Sequence, residues 1–257
     1  MGLRIRTNVA SQAVQKQLST VDRKMGDSYE KLASGKRITK SADDAAGLGI
    51  AKKMEAEVKG YRMAQRNANA GISLVQVAEG GLNEATNIMT RMRELSIQAA
   101  SDTVGEKERG YLNLEYEQLL QEADRISKTT TFSGKELLTG NSETGTMDFH
   151  VGAYGGEDNK ISFDADATNA TVENLGIAGT NIATKEDAFE NLSLIDDAID
   201  TVSGFRANFG SIQSRLQSTI SNLDTMSVNT EAARSRIEDV DVAQESAKLA
   251  QGNVMKQ

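Results

Sequence analysis

The chain has 257 residues, of which 38% are hydrophobic and only 4% aromatic, with no proline, cysteine or tryptophan and a formal charge of −8. Without cysteine there is no disulfide scaffold, thiolate metal centre or cysteine nucleophile. The acidic balance argues against a nucleic-acid partner, which calls for a basic stripe, and no apolar run approaches the roughly 18 residues of a membrane helix.

Proline normally makes up about 5% of a chain, so its absence predicts long uninterrupted elements. The first helix carries Val14, Leu18, Val21, Met25 and Leu32 at alternating spacings of four and three, with Ser28 as its one polar slot. That is the seam of a coiled coil. Gly35 ends it. Ser41-Ala42-Asp43-Asp44 reads as a capping box, with Ser41 as the cap and Asp44 reaching back, and a second helix should run from there through Ile50, Met54 and Tyr61. From Ala68 to Ala100 the seam Leu74, Ala78, Gly81, Ala85, Ile88, Met92, Leu95 and Ala99 lies beside a second apolar face of Ile72, Val75, Leu82 and Met89. Two adjacent faces imply packing against more than one partner. Gly105 marks a turn, and Tyr111, Leu112, Leu119, Leu120, Ala123 and Ile126 predict a shorter helix returning antiparallel.

Residues 138–185 are rich in Thr, Asn, Gly and Asp. Met147–Val151 and Ile161–Ala165 alternate with period two around Gly155-Gly156-Glu157-Asp158-Asn159, which predicts a hairpin. A single hairpin is unstable alone, so it must lean on the helices. Thr184-Lys185-Glu186-Asp187 is a second capping box, followed by Leu192, Ile195, Ile199, Val202, Phe205, Phe209, Ile212, Leu216, Leu223, Met226, Ala233, Ile237 and Val240. One or two helices of about 70 residues would span about 100 Å. The fold class is therefore mainly α: a long antiparallel helical bundle or coiled coil from both chain ends, with a small central β-hairpin insert.

The sequence offers little for catalysis. His150, the only histidine, sits on a strand face opposite Phe149 and Val151, and no HExxH or Ser/His/Asp grouping surrounds it. Gly47-Leu48-Gly49 lacks the third glycine and the preceding strand of a dinucleotide loop. Asp43-Asp44 and Asp196-Asp197 suit helix starts and solvated faces. The expectation is a non-enzyme with no cofactor and no metal. Asn169-Ala170-Thr171 and Asn191-Leu192-Ser193 fit the glycosylation sequon and read as ordinary loop and cap residues. The apolar seams remain. Either they all face inward in a self-contained bundle, or neighbouring copies complete them, in which case a contact that does not close generates a helical filament.

Several long motifs then become specific. Gly2-Leu3-Arg4-Ile5-Arg6-Thr7-Asn8-Val9-Ala10-Ser11, the run Leu32–Ile50 (LASGKRITKSADDAAGLGI), the run Arg66–Leu82 (RNANAGISLVQVAEGGL), Phe149-His150-Val151-Gly152-Ala153 and Ser235–Ala243 (SRIEDVDVA) together resemble the bacterial flagellin family over nearly the whole chain. The resemblance implies a subunit that polymerises into the flagellar filament for motility. It implies secretion through the flagellar type III channel without a cleavable signal peptide, and an extracellular location. The implied partners are further copies of the chain, an export chaperone, and the filament cap and hook-junction proteins. By the same resemblance, residues 1–42 form an inner coiled-coil segment with a spoke. Residues 43–137 and 186–245 form an outer helical domain, 138–185 a short β-rich insert, and 246–257 the start of a C-terminal inner segment.

Ser34, Gly35, Ile38, Asp43, Asp44 and Gly47 belong to the implied spoke; Val14, Leu18, Val21, Met25, Leu32, Ile237 and Val240 to the implied coiled-coil seam. Arg91, Leu95 and Glu115 match positions where flagellins contact one another and the vertebrate Toll-like receptor, with Thr90 departing from the usual Gln. Flagellins continue for some 20 residues beyond the position matching Gln257, so either the chain is truncated or it is part of a longer one; a truncated chain is expected to lack half of its inner coiled coil, to stay monomeric, and to leave its N-terminal segment isolated and poorly ordered. Two other readings stay open: a hook–filament junction protein sharing the terminal motifs, and a helical adaptor binding one partner stoichiometrically.

Overall fold

The computed structural model describes residues 8–140 and 145–256, so Gly2–Thr7 of the opening motif lie outside the described residues. Among the described residues five α-helices follow one another: α1 (Val9–Ser34), α2 (Ala45–Ala99), α3 (Glu106–Thr129), α4 (Lys185–Glu238) and α5 (Val242–Lys256). Four strands lie between α3 and α4 among the described residues: β1 (Thr131–Phe132), β2 (Lys135–Glu136), β3 (Thr146–His150) and β4 (Lys160–Asp164). Contacts divide the chain into two compact units, one holding the described residues up to Gly60 and from Thr225 onward, the other Tyr61–Asp224.

In the first unit, Asn8 caps α1 by accepting from the Ser11 N–H at 3.1 Å. Gly35 ends the helix in the left-handed region at φ 70°, where a residue without Cβ carries no penalty. The α2 start differs from the expected capping box. Asp44, not Ser41, is the cap: its Oδ1 accepts from the Gly47 N–H at 2.8 Å, and its carbonyl accepts the Leu48 N–H at 3.0 Å. Asp43 closes the preceding turn instead, accepting from the Thr39 and Lys40 N–H groups and the Thr39 hydroxyl. Those three donors hold the Asp43 carboxyl below its ordinary pKa. No breaker lies between Tyr61 and Ala68, and the two expected helical stretches are one helix of 55 residues.

The second unit is built on antiparallel neighbours. Asp196 takes Arg93 at 2.6 Å and Asp102 takes Lys185 at 2.6 Å, setting α4 antiparallel to α2. Arg109 on α3 reaches back to the Ala99 carbonyl at 2.8 Å, and Arg91 meets Glu115, so α3 also runs antiparallel to α2. Both predicted faces of α2 are buried: Val75, Leu82, Met89 and Met92 are all inaccessible. Thr184 caps α4 as expected, accepting from the Asp187 N–H at 3.1 Å.

The predicted hairpin is β3–β4, with Met147 opposite Phe163 and Phe149 opposite Ile161. It leans on the helices: the Phe163 and Phe209 rings lie 5.3 Å apart, and a Cβ at Gly71 would come within 3.2 Å of the Phe149 ring. His150 is exposed at the strand edge, its carbonyl accepting from Asn67 Nδ2 at 3.0 Å. A second hairpin, β1–β2, turns through Ser133 and Gly134, both at positive φ. Of the sequon residues, Asn191 is buried and donates to the Asn181 carbonyl, while Asn169 accepts from Thr171.

Candidate functional site

Three groups of side chains are placed for contact or coupling. The first is the seam of α1. Its partner is α5, running antiparallel: Lys256 pairs with Asp22 at 2.9 Å, Gly252 faces Met25, and Ser28 donates to Glu245 at 2.6 Å. The polar slot in the seam is thus matched by a carboxylate that is only 6% exposed. Hydrogen bonds from Ser28 and then Lys248 hold the Glu245 carboxyl below its ordinary pKa, against the effect of burial. The Gly252 position lets the two helices approach, since a Cβ there would lie 2.7 Å from Met25 Cγ.

The pairing covers only part of the stripe. Val21 is buried and Met25 and Leu32 are half-buried, whereas Val14 is 67% and Leu18 41% exposed. Helix α1 is therefore not isolated, contrary to expectation, because α5 lies against its C-terminal half. Ile237 and Val240, expected in this seam, do not sit on it. The Val240 N–H donates to the Gly35 carbonyl and the Ile237 carbonyl accepts from Arg37, so both flank the loop that follows α1.

The second group is that loop and the start of α2. Ser34 is exposed, its hydroxyl donating to the Lys31 carbonyl at 3.3 Å. Ile38 is 2% exposed. Gly47 is wedged between Asp44 and Ile38, and a Cβ there would meet Asp44 Oδ2 at 2.3 Å and Ile38 Cδ1 at 2.9 Å. The glycine lets the cap and the packed isoleucine share one place. Lys36 pairs with the buried carboxylate of Glu238. The pairing of Lys36 and Arg37 with residues 237 and 238 was not foreseen from the sequence. Complementary charge about 200 positions apart carries no periodic signal.

The third group lies on α2 and α3. Arg91 donates to Glu94 at 2.9 Å and to Glu115 at 2.9 Å, on an exposed surface. Both acceptors, Glu94 first, hold its guanidinium above its ordinary pKa. Arg91 and Glu115 are thus brought together. Leu95 is not with them on the surface. It is 1% exposed, in the core cluster that also contains Met92, Ala99 and Ile195, because it occupies the seam that turns inward. Exposed apolar side chains near that end of the unit come from other positions: Ile97 on α2 and Tyr111 and Leu114 on α3. Arg109 was also missed. It is 8% exposed and donates to the Ala99 and Val104 carbonyls, closing the end of α2. Among the described residues no group of acidic, histidine or cysteine side chains is placed to hold a metal, and no helix is long and apolar enough to cross a membrane.

Residues 5–143 match the bacterial flagellin N-terminal helical region, and residues 192–257 the bacterial flagellin C-terminal helical region. The chain belongs to the flagellin family. The flagellin of Halalkalibacterium halodurans is 40% identical over 89% of this chain and 82% of its own length. Flagellin FlaB2 of Treponema pallidum is 35% identical over 98% of this chain and 92% of its own. The Bacillus subtilis flagellin is 34% identical over 99% and 93%. Among solved structures, the Bacillus cereus flagellin aligns with a TM-score of 0.55 at 27% identity, over 66% of this chain and 94% of that one. A putative flagellar hook-associated protein from Vibrio parahaemolyticus aligns at 0.62 over 77% of this chain and 100% of its own, but at 14% identity, which shares the fold alone. The helical ends and the small central insert are those of a flagellin.

Proposed function

We propose that this flagellin is a structural, non-enzymatic subunit that polymerises into the bacterial flagellar filament, outside the cell, for motility. The supporting observation is the stripe of α1. Val9, Val14 and Leu18 are exposed on a helix whose other half is paired with α5, and burying apolar surface is worth about 25 cal/mol per Å². Copies of the same chain are the occupants that the family supplies. In this reading residues 1–42 and 246–257 serve the inner coiled coil, residues 43–137 and 186–245 the outer helical domain, and Ser34–Gly47 the spoke between them. Arg91 and Glu115 form part of the contact surface, and Leu95 supports it from beneath.

Export through the flagellar type III system belongs to the same reading. So do a chaperone that covers the apolar ends before assembly, and later contact with the cap and hook-junction proteins. Recognition by the Toll-like receptor rests on Arg91 and Glu115, and Arg91→Ala should then lower the response of reporter cells to monomer. The test of the main reading is electron microscopy and light scattering of the purified full-length protein, with any residues that follow Gln257, at rising concentration. Open-ended filaments support it. A fixed stoichiometric complex, or a monomer at every concentration, refutes it.

A further inference from the structure

The helix break between α4 and α5 falls in Ile237-Glu238-Asp239-Val240-Asp241-Val242, with neither glycine nor proline. Sharp breaks without those residues need something inserted into the i→i−4 ladder. Here it comes from the other end of the chain. For α4 to continue, the Ile237 carbonyl would accept from Asp241 and the Glu238 carbonyl from Val242. Both are taken by Arg37: its guanidinium donates to the Ile237 carbonyl at 2.6 Å, and its N–H to the Glu238 carbonyl at 2.7 Å. The Val240 N–H, whose helical acceptor would be Arg236, donates instead to the Gly35 carbonyl at 3.1 Å. Lys36 and Asp239 are thereby paired as an antiparallel bridge. The Lys36 ammonium meets the buried Glu238 carboxylate, which also lies 3.9 Å from Arg234 Nε. On the far side of the break, Asp241 starts α5 by accepting from the Ala243 and Gln244 N–H groups.

We infer that residues 35–37 act as a detachable C-cap: docked, they separate α4 from α5, and released, they let the two helices fuse into one. Ser235, Arg236, Ile237 and Glu238 are already helical, and the residues between the helices contain nothing that forbids a helix. Detachment of the segment after α1 is thus coupled to a change in the direction of the C-terminal helix. This goes beyond the filament reading and does not depend on it.

The test is residue-resolved amide hydrogen exchange by NMR on the full chain at monomeric concentration, comparing wild type with two variants. Arg37→Pro removes the N–H that reaches Glu238. Lys36→Glu with Arg37→Glu reverses both charges while keeping the backbone donor. In each, exchange at Asp241 and Val242 should slow at least tenfold as those amides regain helical acceptors, and far-UV helicity should rise slightly. Unchanged exchange at Asp241 and Val242, loss of protection throughout 237–245, or lower helicity would each overturn the inference. Receptor and filament assays play no part in this readout, so failure of the filament reading leaves it standing.

Discussion

Leu95→Ala separates a buried support from a surface contact. The side chain is 1% exposed in the second unit's core. Truncation removes three buried carbon groups, about 2.4 kcal/mol at about 0.8 each. A residual cavity of about 50 Å³ would add about 1.2 kcal/mol at about 24 cal/mol per Å³. The sum, about 3.6 kcal/mol, falls in the usual range for a buried leucine. Urea unfolding followed by far-UV circular dichroism should therefore show a clear drop in midpoint at unchanged slope. Arg91→Ala, whose ion pairs are exposed, should scarcely move it. A loss under about 1 kcal/mol for Leu95→Ala would refute the placement of this leucine in the core. The comparison bears on function as well: any fall in assembly or receptor response for Leu95→Ala has to be corrected for unfolded chain, whereas Arg91→Ala reports on the surface directly.

Other substitutions probe the first unit. Gly47→Ala should destabilise it by about 1–3 kcal/mol, read by thermal unfolding, because the clash with Asp44 and Ile38 outweighs the roughly 1 kcal/mol by which alanine favours a helix. No loss would mean that the Asp44 cap does not form. Val14→Asp with Leu18→Asp alters exposed positions and should leave monomer stability nearly unchanged while abolishing concentration-dependent assembly. The folded-state pKa of Glu245 lies below its ordinary value of 4.5, so its contribution is intact above that pH and is lost as pH falls through the lowered value. Amide exchange in α5 should accelerate across that window, and Glu245→Gln should flatten the dependence.

Much of the fold was legible because long apolar periods leave few choices. Thr184 and Gly35 punctuated helices as their chemistry predicts, and the period-two runs around Met147 and Phe163 could only be strands. The start of α2 was misread because Ser41 and Asp44, three positions apart, are both favourable N-cap residues. The choice between them was made by Asp43, whose carboxylate closes the Thr39–Lys40 turn and pushes the first helical residue onward. The partner of α1 was not legible at Ile237 and Val240, since a period names a face and not its occupant. Leu95 received two assignments. Its place in the 4-3 seam of α2 pointed inward, its family position pointed outward, and the burial agrees with the seam. Arg109 and the β1–β2 turn carried too little local pattern to be seen.

The pairing of Ser28 with Glu245 has a consequence for which helices associate. Two α5 helices laid against each other at the same level would enclose two carboxylates with no hydroxyl between them, and like charges in a dry contact repel strongly. Two α1 helices would set serine against serine and forgo the acceptor. Only an α1 with an α5 satisfies both, so this one polar rung rejects same-end matches along a stripe whose leucines and valines would accept either.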